Sequence, residues 1–207
     1  MAQYATSAGS FPHGWEHAGY TGSGNVESLL NSLRGRSALV CGSGQGVFED
    51  FKKIYDGSQV VFAVNDVGVY LPHVDHFLSL HAGKLKHWAA LRADESSKPV
   101  GNTEFKTHTG HVEKAGIDYG WQSLCPLFAL SGYFAMQVAY LMGCDPIVLL
   151  GCPGDLRPRF WETATVNQAY TQAGVLDQVT KEMARLPDFK KKVRSASGWT
   201  REFFGAL

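Results

Sequence analysis

The stretch Ser37-Ala-Leu-Val-Cys41-Gly42-Ser-Gly-Gln-Gly46 constrains this chain more than any other. A short apolar run breaks into a turn carrying glycine at alternate positions, and Val47 to Tyr55 follows with helical composition. A buried strand, a glycine turn and a helix in that order open a βαβ unit. The unit is completed by Gln59-Val-Val-Phe-Ala-Val64, a second apolar run that ends in Asn65-Asp66. Continuous apolar runs separated by about ten helical residues mark parallel strands covered on both faces.

The alternation continues. Val74-Asp-His-Phe-Leu-Ser-Leu80 reads as a third strand, followed by a helix from Lys84 to about Arg92. Residues 94 to 125 are polar and rich in glycine, with one candidate strand at Thr103 to Thr107. Ser131 to Met142 is apolar nearly all round and reads as a buried helix stopped by Gly143. Pro146-Ile-Val-Leu-Leu150 is a further buried strand, and a longer helix is expected over Ala164 to Leu186. Lys192 to Ala196 reads as a weak strand, and Trp199 to Phe204 as a final turn. The expected fold class is α/β: a single Rossmann-like domain over 25–207, with an open, mostly parallel sheet and helices on both faces. A short helix is expected from Asn25 as N-cap to Gly35, with Val26, Leu29, Leu30 and Leu33 on one face. Residues 1–24 hold five glycines, one acidic residue and no Lys or Arg, and are expected to form a flexible arm.

Composition narrows the class. Apolar residues make up 44% of the 207, enough for a core of normal density. Lys plus Arg and Asp plus Glu number 19 each, which argues against a protein that coats nucleic acid through its phosphates. A nucleic-acid acceptor is compatible with this balance but not indicated by it. No apolar run approaches the roughly 18 residues that span a bilayer, and the first basic residue is Arg34, so a signal peptide is not expected. Cys41, Cys125, Cys144 and Cys152 lack paired spacing, and three of them sit in apolar contexts, as reduced buried thiols do. The expected setting is soluble and cytoplasmic. Oligomeric state is not encoded in any of these features.

Within this frame the candidate site residues follow the strand ends. Gly42, Ser43, Gly44 and Gln45 lie between strand and helix, where close backbone approach and a helix N-terminus favour an anion. A strict dinucleotide fingerprint needs glycine where Val47 stands, and there is no Gly-Lys-Ser/Thr ending of a phosphate-binding P-loop. Asn65 and Asp66 follow the second strand, where ribose or base is commonly held. Ser131 and Gly132 start the apolar helix, a second anion-binding N-terminus with Ser131 as cap. His81 closes the third strand and suits proton transfer, while Asp155, Arg157 and Arg159 follow the Leu149-Leu150 strand. An Asp there can orient a hydroxyl, and arginines can neutralise a departing phosphate. No histidine or cysteine spacing matches a zinc signature, and no Asp-x-Asp pair is present, so no metal site is expected. Residues 181 to 202 hold seven basic and three acidic residues, read first as a solvated face.

The order of these motifs resembles a known superfamily. Leu-Val-Cys-Gly-Ser-Gly-Gln-Gly46, Val-Phe-Ala-Val-Asn65, Val-Asp75-His-Phe-Leu-Ser-Leu-His81 and Ser131-Gly…Gly143-Cys-Asp-Pro-Ile-Val-Leu-Leu-Gly151 are similar to the group uniting family 42 bacterial sialyltransferases with domain-of-unknown-function-115 proteins. The latter include 6-hydroxymethylpterin pyrophosphokinases and phage-encoded members, to which Ser79 to Trp88 is particularly similar. The resemblance covers roughly residues 36 to 155. It implies a nucleotide-dependent transferase in which the glycine turn and Asn65 hold the nucleotide and Ser131-Gly132 its phosphate or sugar. The chain departs from the family at Gln45 and Gly46, where the family has Pro-Ser. It also departs after Gly151, where sialyltransferases place tyrosines, and in having no histidine beyond His111.

The leading expectation is therefore a glycosyltransferase-like enzyme. It takes a nucleotide-activated donor such as a nucleotide-sugar, acts on a hydroxyl acceptor and holds no tightly bound cofactor. His81 or Asp155 is the expected base, with Arg157 or Arg159 beside the leaving phosphate. The alternatives are pyrophosphoryl transfer from ATP, which alone would need Mg2+ held by Asp66 or Asp155, and a non-catalytic nucleotide-binding or interaction module. An NAD oxidoreductase is a weaker option, resting on Asp66 at a strand end.

Overall fold

In a computed structural model the residues described are 26–94, 101–110, 116–121, 130–155, 158–162 and 173–207. Among these residues seven strands form one sheet in the order β5-β4-β3-β2-β1-β6-β7. They are β1 (Ala38–Cys41), β2 (Val60–Val64), β3 (His76–Ser79), β4 (Lys106–Thr109), β5 (Tyr119–Gly120), β6 (Ile147–Leu150) and β7 (Val193–Ser195). Every pairing is parallel, with Ala38 level with Val60 on one side and with Ile147 on the other. The expected α/β sheet is present, and it is parallel throughout.

Parallel strands buried on both faces carry apolar residues at every position. β1, β2 and β6 do so, each buried along its whole length. Alternate residues feed two cores: Ala38 and Val40 pack with helix α4 (Ser131–Leu141), Leu39 and Cys41 with the opposite face. That second face is covered by α1 (Val47–Ile54), α2 (Val67–Tyr70) and α3 (Ala82–Ala93). α1 buries Val47 and Phe51, one turn apart, and turns Glu49, Asp50, Lys52 and Lys53 outward. α4 has no polar face, and Tyr133 through Leu141 are all buried. Beyond β6 come α5 (Ala173–Arg185), α6 (Pro187–Lys192) and α7 (Gly198–Phe204). Among the described residues no helix is long and apolar enough to cross a membrane.

Several boundaries differ from the sequence reading. The helix expected after Asn25 is a single 3₁₀ turn, Val26–Leu29, and Asn25 itself lies outside the described residues. The chain from Asn31 to Gly35 is used otherwise: the amides of Asn31, Leu33 and Gly35 donate to Leu141, Met142 and Gly143. They satisfy carbonyls that a helix end leaves without intrahelical donors. The strand expected at Thr103–Thr107 runs from Lys106 to Thr109. Asn102 is occupied as a clamp between Val74 and the Arg92 guanidinium, which holds the preceding loop out of the ladder. The long helix expected from Ala164 begins, within the described residues, at Ala173. The arm 1–24, Cys125 and Arg157 lie outside the described residues.

Candidate functional site

The sheet changes direction at β1. Strands β2 to β5 are laid down on one side of it, β6 and β7 on the other. Connections leaving the carboxyl ends of β1 and β6 therefore diverge, and a crevice opens between them. A cavity of about 220 Å3 lies there. Its wall is built from the turns after β1, β2 and β6 and from the first turn of α4.

The turn after β1 is held by its neighbour. Gly42 N–H donates to the Leu150 carbonyl at 2.8 Å and Gly44 N–H to the Gly151 carbonyl at 2.8 Å. Gln45 N–H donates to Pro158, and Phe160 N–H returns to Ser43. A side chain at Gly42 would place Cβ 2.6 Å from both Cys152 Sγ and the Gly151 carbonyl; at Gly44 it would be 2.8 Å from the Gly151 carbonyl. The two glycines are thus required by close approach of the β6 turn. Their amides and that of Gln45 are spent on protein carbonyls, so the direct amide cradle expected here is not formed by these three groups.

Further ties lace the strand ends together. Ser43 Oγ donates to Asp66 Oδ1 at 2.5 Å, joining the turns after β1 and β2. Ser79 Oγ donates to Asn65 Oδ1 at 2.7 Å, joining those after β2 and β3. Asn65 sits at φ 60, a left-handed conformation that asparagine tolerates better than most side chains. Burial raises the Asp66 carboxyl above the usual carboxylate range, opposed by the Ser43 hydrogen bond and by the charge of Arg159.

α4 enters from the other side. Its N-cap is Leu130, with no side-chain capping bond, so Ser131 is the first helical residue rather than the expected cap. The Ser131 hydroxyl accepts from Leu80 N–H at 3.3 Å instead. The first-turn amides of Ser131, Gly132 and Tyr133 have no intrahelical acceptor.

The turn after β6 is seated on α7. Thr200 Oγ1 donates to the Cys152 carbonyl at 2.8 Å, and Thr200 N–H to Pro153 at 3.1 Å. Asp155 lies on the cavity wall. Its Oδ2 stands 2.7 Å from where a Cβ on Gly198 would be, at the start of α7. Arg159 reaches the wall because its backbone forms an antiparallel bridge with Gly44, and its guanidinium lies 5.2 Å over the Trp161 ring.

Gly42, Ser43, Gly44, Asn65, Asp66, Ser131, Gly132, Asp155 and Arg159 are thus brought to one cavity. Gln45 is exposed and not on its wall. His81, the exposed N-cap residue of α3, is not on it either; its amide donates to Ser79 Oγ. Trp88, Tyr133 and Cys152 line the cavity without having been singled out as site residues. Burial pushes the Cys152 thiol up to about 12, which favours the thiol over the nucleophilic thiolate. Among the described residues no group of three or more His, Cys, Asp or Glu is arranged to hold a metal ion. The basic run near the C-terminus is largely paired: Lys181 with Asp177, Arg185 with Glu182, Lys191 with Asp188 and Lys192 with Asp145.

No family model matches the chain, and no curated protein does. Among solved structures, the fold is similar to that of the sialyltransferase CstII from Campylobacter jejuni, determined in complex with the substrate analogue CMP-3FNeuAc. The two are 11% identical with a TM-score of 0.53, over 83% of this chain and 86% of that one. At that identity the likeness is one of fold.

Proposed function

We propose that the chain is a glycosyltransferase-like enzyme that binds a nucleotide-activated donor in this cavity and transfers its glycosyl group to a hydroxyl acceptor. The observation that carries the reading is the convergence of the glycine turn after β1, the Asn65-Asp66 turn and the α4 N-terminus on one crevice at the strand-order reversal. Crevices at that place in open α/β sheets are where nucleotides bind. The CstII fold, seen with a CMP-sugar analogue, gives the same direction.

In this reading Asp66 accepts a ribose hydroxyl, with Ser43 fixing its carboxylate. The acceptor oxygen forms the new bond to the anomeric carbon while the bond from that carbon to the phosphate oxygen breaks. Asp155 takes the acceptor proton, and the phosphate leaves with the bonding electron pair. Arg159 and the first turn of α4 stabilise the charge that develops, a contribution of about 3–4 kcal/mol per well-placed donor. His81 serves as base only if the acceptor extends beyond the cavity towards α3.

A second reading, pyrophosphoryl transfer from ATP, draws on the two carboxylates of the wall, Asp66 and Asp155. It would need Mg2+ at those carboxylates. The test of both is calorimetric titration of nucleotides and nucleotide sugars into the full chain, with and without Mg2+, followed by assay of nucleotide release. Binding of a nucleotide sugar and metal-independent release support the first reading, while a strict Mg2+ requirement with ATP supports the second. No binding to any nucleotide removes both.

A further inference from the structure

Three buried polar side-chain atoms on α4 have no hydrogen-bond partner among the described residues, Nε2 and Oε1 of Gln137 and the hydroxyl of Tyr133, and of these two residues only Tyr133 lines the cavity. Tyr133 is 4% exposed and lines the cavity, yet its hydroxyl has no hydrogen-bond partner among the described residues. A buried hydroxyl left unpaired is destabilising, and phenylalanine would fill the same space without that penalty. The hydroxyl stands 3.0 Å from where a Cβ on Gly154 would be, and Gly154 is at φ +68, so the loop there closes over it with backbone alone.

Its neighbours define what it can bind. Tyr133 is the third residue of α4, whose first-turn amides are without intrahelical acceptors and without a side-chain cap. Gly132 brings that backbone against Cys152, with Sγ 3.2 Å from a hypothetical Cβ. Burial and the nearby Cys152 and Asp155 raise the phenol further above its ordinary value, so it keeps its proton. A neutral O–H on the same cavity wall as helix N-terminal amides, for which no backbone acceptor is found among the described residues, is a set of donors for an oxyanion.

We propose that the Tyr133 hydroxyl and the first-turn amides of α4 form one subsite for an anionic phosphate oxygen of the ligand. This rests on the nucleotide reading above and adds to it the residue that holds the charged group. The subsite takes over the anion-holding duty that Gly42, Gly44 and Gln45 do not perform, because their amides are bonded to the turns after β6. A phosphate gains from it, whereas the corresponding nucleoside does not.

The test compares the full chain with Tyr133→Phe by calorimetry, using a nucleoside monophosphate, its nucleoside and inorganic pyrophosphate, together with thermal melting without ligand. The expected result is weakening of the nucleotide and of pyrophosphate on the order of tenfold, an unchanged nucleoside, and a melting temperature no lower than the parent's. Equal nucleotide affinity in parent and variant overturns the subsite and leaves nucleotide binding standing. Pyrophosphate binding that Tyr133→Phe weakens, in a chain that binds no nucleotide, supports the subsite and removes the nucleotide reading. Binding of neither removes both. A lower melting temperature in the variant also overturns the subsite, since the hydroxyl would then have a structural partner.

Discussion

The amide of Gly44 donates to the carbonyl of Gly151 at 2.8 Å, so the turn that follows β1 and the turn that follows β6 form one unit. The crevice between the two strands is consequently fixed by backbone contact. Alanine at Gly42 or Gly44 would set its Cβ within 3 Å of backbone that cannot swing aside. Each substitution is expected to destabilise by about 1–3 kcal/mol, as overpacking does. Gly46 is the control: a Cβ there meets nothing within 4 Å, but its φ of +85 strains a side chain. Gly46→Ala is expected to cost about 1–2 kcal/mol through that conformation alone. Urea denaturation of the three variants checks the order.

A chain of rings at the β3–β4–β5 edge gives an acid limit to stability. Trp121 Nε1–H donates to His108 Nδ1 at 3.0 Å, which leaves the proton of a neutral His108 on Nε2, facing His76 Nδ1 at 2.9 Å. Burial holds His76 down to about 4, below its ordinary 6.5, and depresses His108 as well. Between pH 4 and 6.5 the unfolded chain binds more protons at His76 than the folded chain does. Stability is therefore expected to rise with pH through that window, by about 1.4 kcal/mol per pH unit at most for each such group, and to level off above it. Trp121 fluorescence during denaturant titrations between pH 4 and 8 measures this. Replacing His108 by Gln should flatten the slope.

Arg92 separates stability from function. Its guanidinium is buried and donates to the carbonyls of Gly68, Leu71 and Asn102 and to the Asn102 side chain, tying α3 to α2 and to the following loop. Arg92→Met is expected to leave those carbonyls unpaired and to destabilise by about 2–4 kcal/mol. Arg92 is not on the cavity wall, so ligand affinity below the unfolding transition should be unchanged.

What was readable from the sequence was what lies in continuous runs. β1, β2, β6 and α4 are each apolar along their length, and a strand or helix buried on every side needs no partner to be recognised. The short pieces were not readable. α2 is one turn of Val-Gly-Val-Tyr, a strand-like composition, made helical by local bonds such as Gly68 N–H to Asn65. α6, Pro187–Lys192, begins directly after Leu186, where the expected helix ends, in a short stretch to which no element was assigned. The glycine turn lies on the cavity wall. Its pattern does not distinguish amides that meet a ligand from amides that meet Gly151 and Leu150, because that approach is a tertiary event. Tyr133 was hidden for a related reason: in a helix apolar all round, a tyrosine reads as core.

Asp66 gives the proposed site a pH signature. A ribose hydroxyl donates to the ionised carboxylate, and burial raises this carboxyl above the usual range. Donor binding is therefore expected to weaken on acidification at a pH above that of an ordinary aspartate, and Asp66→Asn to weaken it about tenfold or more at neutral pH without that dependence. Calorimetry across pH 4.5 to 8 reads both, and an identical pH profile in parent and variant would exclude Asp66 from the contact.

The most direct measurement is a crystal structure of the chain soaked with the nucleotide that titration selects. The expected density has the ribose beside Asp66 and the phosphate against the first turn of α4, between Tyr133 and Arg159. A nucleotide bound elsewhere on the surface, with the crevice between β1 and β6 empty, contradicts the assignment of this cavity as the donor site.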